Sequence, residues 1–385
     1  MRFRDFRLER YFGEWEFTAS ILLGSSDPES MRLPELLALA DEDCRRRWDE
    51  LWLGYTETAG LPALREAVAG QYAACGPEDV LVFSAPEEAM FHIAAGVLEP
   101  GDHMVGLAPA FQSSYEIPRS LGAGLTLVPL REDRGWALDI DELAAAVTGR
   151  TKLIYVNFPH NPTGAVLSNL DQQRLIELAD SCGAHLFSDE MYRGLEFDPA
   201  DRLPPAADLH PRAISLGGLS KGYGLAGVRL GWTVCRDREL TRRMLAAKDF
   251  TTICASSPSE VLALIAVRAA DRLTARALNR ITGNLGLVDE FLGKRPDLLR
   301  WVRPRAGSVG LPELLPDMPV AEFCEKLVTS RGVLLVPGGM FEMTSNHFRL
   351  GLGRANLPEG LAELGSFVDG LEAGAGRFAR NAKAT

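Results

Sequence analysis

Short apolar runs alternate with helix-like stretches between residues 46 and 285. Seven of these runs have the character of β-strands, and they lie at residues 80–83, 103–107, 125–130, 152–158, 185–188, 213–216 and 229–235. Alternation of this kind predicts a largely parallel sheet wrapped by helices, with chemistry in the loops beyond the strand ends.

One connecting helix has clear signals at both ends. The segment Ser168-Asn-Leu-Asp171 resembles a capping box, and Gly183 is a typical C-terminal stop. Between these signals the apolar residues recur at helical spacing. The predicted apolar face consists of Leu170, Leu175, Ile176, Leu178 and Ala179.

The rest of the chain predicts a second, smaller lobe. A length of 385 residues exceeds one ordinary domain. After a helix-rich stretch at 236–295 come strand-like runs at 299–302, 309–311, 333–336 and 347–350, with a helix near 320–330. We therefore predict an N-terminal arm and part of the small domain at 1–45, a large domain at 46–285, a small α+β domain at 286–373 and a disordered tail at 374–385.

Composition excludes several classes of partner. The formal net charge of −11 argues against non-specific binding to nucleic acid or anionic lipid. No apolar run approaches the ~18 residues of a membrane span. Six scattered cysteines without a C-x-x-C, and a charged start without an export core, predict a cytoplasmic protein with reduced thiols. No two histidines stand at a metal-ligand spacing, so no metal site is expected.

The stretch from Ser215 to Trp232 carries the main candidate chemistry. It places Lys221 among glycines after one strand-like run, and Arg229 at the start of the next. A lysine on a tight turn suits imine formation with a carbonyl, while a nearby arginine can hold an anion bidentately. A merely solvated lysine is the alternative. The segment 222–227 also matches G-x-G-x-x-G, but a strand follows directly and leaves no room for the helix of a dinucleotide site.

This stretch resembles the lysine signature of fold-type I pyridoxal-phosphate (PLP) enzymes in the class I/II aminotransferase superfamily. Other family motifs follow in the same order, from Tyr55 to Arg349. They are Tyr55 with Gly60, Leu64 and Arg65, then Asn161-Pro-Thr-Gly164, Asp189 with Tyr192, and Phe348-Arg349-Leu-Gly. The resemblance implies an α/β protein of PLP-dependent transferase fold type I, with a mainly parallel seven-stranded sheet in the PLP-binding large domain and a small α+β domain.

The resemblance also implies roles for individual residues. Lys221 would carry the cofactor aldehyde as a Schiff base and then remove the α-proton of the substrate. Asp189 would pair with the pyridine nitrogen and keep the ring an electron sink. Tyr192 would hydrogen-bond the phenolate oxygen. Arg349 would clamp the substrate α-carboxylate, and Trp15 and Asn161 are further candidates for contact with the substrate.

The cofactor-binding set implied by the resemblance is larger. It comprises Tyr55, Ser84, Ala85, Pro86, Glu87, Phe111, Asn161, Asp189, Tyr192, Ser220, Lys221 and Arg229. In the family, the aromatic residue stacks on the pyridine ring, the asparagine donates to the phenolate oxygen, and the arginine holds the phosphate. The tyrosine near position 55 reaches the phosphate of the neighbouring subunit, which implies an obligate homodimer with shared active sites.

Two departures from the family pattern affect the phosphate site. Many relatives carry serine three residues before the lysine, where this chain has Gly218. The usual Gly-Ala-x-x-Ala turn is replaced by residues 85–89, in which Pro86 has no N–H to donate. We expect Ser84, Ser220, Arg229 and the backbone at Glu87 to hold the anion, with Tyr55 from the partner chain. The dipole of the helix that follows Pro86 would add to this site.

The motifs fit more than one type of reaction. Ping-pong transfer of an amino group from an amino acid to a 2-oxo acid ranks first. Local phrases at 156–164, 214–221, 249–252 and 301–304 resemble capreomycidine-synthase-like enzymes, which favours β- or γ-elimination, replacement or cyclisation in specialised metabolism as the alternative. A catalytically inactive PLP-binding regulator ranks lower, and a nicotinamide oxidoreductase ranks lower still.

Overall fold

The computed structural model describes residues 2–315 and 318–381, with side chains described as far as residue 370. Its α-helices are α1 Arg7–Trp15, α2 Leu33–Leu37, α3 Glu42–Asp49, α4 Pro62–Ala69, α5 Pro86–Val97, α6 Ser113–Ser120, α7 Ile140–Ala146, α8 Asn169–Cys182, α9 Ala206–Leu209, α10 Arg238–Lys248, α11 Ser257–Arg268, α12 Ala270–Gly293, α13 Val320–Arg331 and α14 Leu357–Asn381. Its strands are β1 Val80–Phe83, β2 His103–Ala108, β3 Gly124–Pro129, β4 Thr151–Asn157, β5 His185–Asp189, β6 Ala213–Gly218, β7 Gly231–Cys235, β8 Leu299–Arg300, β9 Val309–Gly310, β10 Glu313–Leu314, β11 Val336–Pro337 and β12 Phe348–Gly351.

A seven-stranded sheet with the order β1-β7-β6-β5-β4-β2-β3 forms the centre of the fold. Neighbours from β3 to β6 pair in parallel, whereas β7 runs antiparallel to both β1 and β6. Each of the seven strands coincides with a predicted run to within two residues at either end. The predicted fold, a mainly parallel seven-stranded sheet, is therefore confirmed.

Helices cover both faces of this sheet, because its strands are apolar on both sides. Helices α5 and α12 pack into the largest apolar cluster on one face. Helices α4 and α11 contribute to a second cluster against β1 and β7, and α8 contributes to a third against β4 and β5. The burial of both faces leaves the strand ends as the place where polar side chains can meet.

Helix α8 begins and ends where the sequence predicts. The Ser168 hydroxyl accepts a hydrogen bond from the Asp171 amide at 3.0 Å, and Gly183 ends the helix in the left-handed region at φ +72°. Leu175 and Ala179 are buried as predicted, whereas Leu170 is exposed at the first turn. The apolar face is therefore narrower than predicted.

The second lobe is built around small sheets and the N-terminal arm. Strands β11, β12 and β9 form one sheet, and β10 pairs with β8. The arm joins this lobe, because Ile21 forms a parallel bridge with Val333 and the Gly24 amide donates to the Leu334 carbonyl at 2.7 Å. The predicted boundary between residues 285 and 286 falls inside the continuous helix α12. The domain limits therefore stay predictions.

Helix α14 continues to Asn381, and residues 382–385 lie outside the described residues. The disorder proposed for residues 374–385 stays a prediction. All six cysteines are free. Within the part of the chain that the structure describes, no helix combines the length and apolarity needed to cross a membrane.

Candidate active site

A cavity of about 780 Å³ lies at the carboxyl ends of the central strands. The last residues of β4 and β5, Asn157 and Asp189, border it. Most of the predicted site residues line it together: Pro86, Glu87, Phe111, Asn161, Asp189, Tyr192, Ser220, Lys221, Arg229 and Arg349. Residues far apart in sequence thus share one cavity, as the order of the motifs implied.

Asp189 is the buried acid of the cavity. Its carboxylate accepts hydrogen bonds from the Tyr155 hydroxyl at 3.0 Å and from the Met191 amide at 3.2 Å. Burial raises the pKa of Asp189 to about 6, although these donors and the charge of Lys221 oppose the shift. A cation placed against Asp189 would lower its pKa again, because a nearby opposite charge favours the ionised form.

Lys221 lies on the turn after β6, where its ammonium donates to the Ser26 hydroxyl at 2.7 Å. Burial lowers the pKa of Lys221 to about 8, and the charges of Arg349 and Arg229 act in the same direction. Asp27 and Glu87 oppose the shift. An amine with this pKa is neutral in a substantial fraction of molecules near pH 8, as a nucleophile or base requires.

The Tyr192 hydroxyl is buried and forms no hydrogen bond of good geometry with the described residues, although the Ser26 side chain is close enough to lower the pKa of Tyr192. Burial raises the pKa of Tyr192 to about 12, so the phenol keeps its proton. A buried hydroxyl without a partner is costly in a folded protein. Its position on the cavity wall therefore indicates a ligand that accepts or donates a hydrogen bond there.

Arg349 is the largest side chain buried almost completely, at 1% exposure. Its Nε donates to the Gly24 carbonyl at 3.0 Å, and its Nη1 donates to the Asn161 side-chain oxygen at 3.3 Å. Burial lowers the pKa of Arg349 to about 10. The guanidinium has no carboxylate within ion-pair distance among the described residues, so it can accept an anion from the cavity.

The Asn161 loop is held in place from behind. The Asn157 side-chain oxygen accepts from the Asn161 amide at 2.9 Å, and the Asn157 side-chain amide donates to the Asp189 carbonyl at 2.9 Å. His160 lies between Thr163 at 2.8 Å and the Pro109 carbonyl at 3.1 Å. Burial lowers the pKa of His160 to about 3, so it is a neutral packing residue and not part of the cavity wall.

The predicted phosphate end is formed by the first turn of α5 and the Lys221 loop. Pro86 is the first residue of α5, a position that needs no N–H for the helix. Ser220 is buried at the cavity wall, while Arg229 is exposed and donates to the Ala226 carbonyl at 3.0 Å. Arg229 has a φ of +54°, a strained value that is found at functional sites more often than elsewhere.

Glu87 adds an acid to this end. Water reaches its side chain inside the cavity, yet the surrounding protein atoms raise its pKa to about 7. Ser113 opposes that shift by hydrogen bonding, and Asp189 adds to it as a neighbouring acid. Near neutral pH, Glu87 is therefore only partly ionised.

Four predicted residues do not line the cavity. Ser84 and Ala85 come directly before Pro86 in the sequence but are not part of the cavity wall. The Ser84 amide donates to the Glu88 carboxylate at 2.8 Å. Trp15 is the last residue of α1 and lies outside the cavity wall. Tyr55 is 81% exposed on the surface, so its predicted contact with a partner subunit stays a prediction.

The N-terminal arm contributes to the cavity wall through residues that the sequence analysis did not single out. Helix α1 supplies Glu9 and Phe12, and Glu16 follows at its end. Phe12 lies 6.0 Å from the Arg349 guanidinium, ring centroid to Cζ.

Comparisons with known proteins agree with this geometry. The profile of the family described as aminotransferase class I and II matches residues 18–363. Capreomycidine synthase from Streptomyces vinaceus is 32% identical over 376 residues, 96% of each chain. Among solved structures, a PLP-dependent aminotransferase from Streptococcus suis 89-1591 has a TM-score of 0.90 at 32% identity, covering 96% of this chain and 98% of its own. The PLP-dependent cyclase OrfR has a TM-score of 0.87 at 29% identity, covering 95% and 97%.

Proposed function

The chain belongs to the aminotransferase class I and II family of PLP-dependent enzymes, and we propose that it transfers the amino group of an α-amino acid to a 2-oxo acid. One observation carries this proposal: the Lys221 amine, the Asp189 carboxylate and the Arg349 guanidinium border the same cavity. They provide a base, an anionic anchor and a carboxylate clamp within reach of one small molecule.

The residues present fit pyridoxal phosphate. The unpartnered Tyr192 hydroxyl suits the phenolate oxygen, and the buried Asp189 suits a protonated pyridine nitrogen. Phe111 offers a ring on the cavity wall, and the first turn of α5 offers a helix N-terminus for the phosphate. When bound, the cofactor supplies an aldehyde for amines and an electron sink for charge that develops at the substrate α-carbon.

The side chains of this protein then divide the work. Arg349 binds the substrate carboxylate and fixes the orientation of the α-carbon. The Lys221 Nζ, with its lowered pKa, accepts the proton from the α-carbon of the substrate. It can then donate this proton to a carbon other than the α-carbon. Asp189 keeps a negative charge on the cavity wall, and Phe12 and Phe111 contribute apolar surface to the same wall.

Cyclisation or elimination is a second candidate function. The match to capreomycidine synthase extends over 96% of both chains, and the cyclase OrfR shares the fold at TM-score 0.87. Both findings support chemistry at the β- or γ-carbon of the substrate after the same removal of the α-proton by Lys221. The two candidates differ in whether a 2-oxo acid is consumed.

The acidic arm supports a substrate with a cationic side chain. Glu9, Glu16 and Asp27 all line the arm side of the cavity. Burial raises the pKa of Glu16, and the nearby charges of Asp27 and Glu9 raise it further. Asp27 pairs with Arg354 at 2.9 Å, while neither Glu9 nor Glu16 has an ion-pair partner among the described residues. A cation bound there would relieve their mutual repulsion.

Exposed apolar residues support the proposed homodimer. Trp52, Leu53, Tyr55 and Phe250 are each at least three-quarters exposed. The segments that carry them are adjacent, because the Ser257 hydroxyl donates to the Trp52 carbonyl at 3.1 Å. Grouped exposed apolar side chains are typical of an interaction surface.

Borohydride reduction followed by peptide mapping tests the cofactor linkage. We expect a label at Lys221 and none at Lys248, a buried lysine outside the cavity.

A panel of amino donors with and without 2-oxoglutarate or pyruvate then tests the reaction. Turnover that needs the 2-oxo acid supports transamination, whereas release of ammonia or water without an acceptor supports the second candidate. Labelling without any turnover would favour a regulatory role.

A further inference from the structure

A second cluster of chemically active side chains lies outside the cavity. Glu132, Glu313 and His347 each offer one ligand atom, and these atoms all lie within 4.8 Å of one another. Glu132 lies in the short turn after β3, Glu313 lies on β10, and His347 directly precedes β12. Glu313 and His347 form an antiparallel backbone bridge, which holds their side chains together. The cluster therefore connects the turn after β3 of the large sheet to the small lobe.

His347 has an unsatisfied ring nitrogen that faces the carboxylates. The residue is 2% exposed, and its Nε2 has no hydrogen-bond partner among the described residues. This atom lies 3.4 Å from a Glu132 carboxylate oxygen, outside hydrogen-bonding geometry. A buried imidazole nitrogen that faces carboxylates without a hydrogen bond is costly unless something lies between them.

The other side of the imidazole is fixed. Its Nδ1 lies 2.9 Å from the Ser345 hydroxyl, and the Trp136 ring meets it edge-on with centroids 5.6 Å apart. In metal sites, a histidine ligand is oriented by a second partner on its other ring nitrogen, and loss of that partner weakens binding. The ring is therefore already oriented for coordination through Nε2.

We propose that Glu132, Glu313 and His347 bind a divalent transition-metal ion of the Zn²⁺ class, through His347 Nε2 and one oxygen of each glutamate. Tetrahedral ligands about 2.1 Å from one ion lie roughly 3.4 Å apart, which matches the His347–Glu132 separation. The three ligand atoms lie at most 4.8 Å apart. Two atoms that bind the same ion can be no farther apart than twice the metal–ligand distance. Side-chain shifts of less than about 1 Å are enough to meet this condition. Three protein ligands leave a fourth position for water.

One cation already touches the cluster. The Arg300 Nε lies 2.7 Å from a Glu313 oxygen, but the Arg300 side chain is 62% exposed. An exposed pair of this kind contributes little and can rearrange when an ion binds. Nothing in the sequence indicated this site, because its ligands come from three distant segments and no two histidines stand at a metal-ligand spacing.

The bound ion would connect the turn at Glu132 to the start of β12, two residues from Arg349. This is a structural role that stands apart from the proposed reaction, since none of the three ligands lines the cavity. Its test therefore does not depend on the outcome of the activity assays.

Calorimetric titration of the chelator-treated holoenzyme with ZnCl₂ tests the proposal. We expect one Zn²⁺ per chain in the wild type, and a higher unfolding temperature when it is bound. Glu132→Gln, at a surface turn that tolerates the change, should lower the affinity by at least about tenfold and abolish the thermal shift. Ser345→Ala should weaken binding by about 10- to 100-fold. His347→Gln should remove it.

His210→Gln is the matched control, because His210 pairs with the Asp180 carboxylate at 3.1 Å without a third ligand. It should leave Zn²⁺ binding unchanged. Equal binding by the wild type and by Glu132→Gln and His347→Gln would overturn the proposal, as would no binding to the wild type. In the latter case, the cluster is a polar contact between the turn at Glu132 and the small lobe.

Discussion

The ring of Pro86 occupies the space that a side chain at Gly218 would need. A Cβ atom at Gly218 would lie 2.9 Å from Pro86 Cγ and 3.0 Å from Met191 Cε. A Cβ at Gly231 would meet the same ring at 2.9 Å. The two departures from the family pattern are therefore coupled, since the proline fits only where residue 218 has no side chain.

This contact predicts that restoring the usual serine is harmful on its own. Gly218→Ser should destabilise the protein by roughly 1–3 kcal/mol, because a rigid ring cannot yield. Pro86→Ala combined with Gly218→Ser should recover most of that loss. Thermal unfolding of the four members of this double-mutant cycle measures the coupling.

Gly283→Ser is the control for this cycle, because no atom lies within 4 Å of a Cβ there. It should leave the unfolding temperature unchanged or raise it slightly, as expected for a glycine replaced in a helix. Additive effects of the two substitutions at Pro86 and Gly218 would contradict the coupling.

Asp189→Asn should lower turnover by about 10²–10³-fold, the usual cost of removing one buried electrostatic stabiliser. Asparagine fits the same space but cannot carry the negative charge. Tyr155→Phe is a milder change at the same site, because the Met191 amide still donates a hydrogen bond to Asp189. Loss of the tyrosine hydrogen bond should raise the pKa of Asp189 and move the acid limb of the rate–pH profile to higher pH. An unchanged profile would count against this role.

Arg349→Gln should raise KM for amino acids by about 10- to 100-fold, the equivalent of one charge-assisted hydrogen bond or more. For amines that lack the carboxylate, KM should change little, because these substrates make no contact with Arg349. Arg276→Gln removes a guanidinium that donates to the Glu29 carbonyl outside the cavity, and it should leave KM unchanged. Equal losses for amines and amino acids would show that Arg349 acts only on packing.

Uptake of pyridoxal phosphate by the cofactor-free protein should depend on pH through Lys221. Only the neutral amine attacks an aldehyde, and burial lowers the pKa of Lys221 to about 8. The uptake rate should therefore rise up to about pH 8 and level off, whereas an ordinary lysine would keep the rate rising toward its pKa of about 10.4. Asp27→Asn removes a charge that raises this pKa, so its curve should lie at lower pH. Stopped-flow absorbance measures both curves.

How much of this site the sequence could predict depends on how local each signal is. Lys221, Asn161 and Asp189 stand in turns or at strand ends, so short patterns place them at one edge of the sheet. Phe12 and the Pro86–Gly218 contact depend on packing between distant segments, which no local pattern records. The metal cluster around His347 was missed for the same reason.

The proposed homodimer with shared active sites predicts complementation between two impaired chains. Tyr55 is 81% exposed on the surface and does not line the cavity that holds Lys221 of its own chain. The proposed role of Tyr55 is therefore in the active site of a partner subunit. Tyr55→Phe and Lys221→Ala homodimers should each be impaired. In a mixed dimer, one site combines an intact Lys221 with the intact tyrosine of the other chain. Activity after co-refolding should therefore exceed the sum of the parents.

The control for complementation is Tyr223→Phe, because that tyrosine bonds Gln71 within its own chain at 3.0 Å. Mixing it with Lys221→Ala should give no more activity than the two parents contribute separately. If the Tyr55→Phe mixture behaves like this control, then Tyr55 serves its own subunit or none. Sedimentation of the same samples shows whether mixed dimers formed, so that absent complementation is assigned to the site and not to failed exchange.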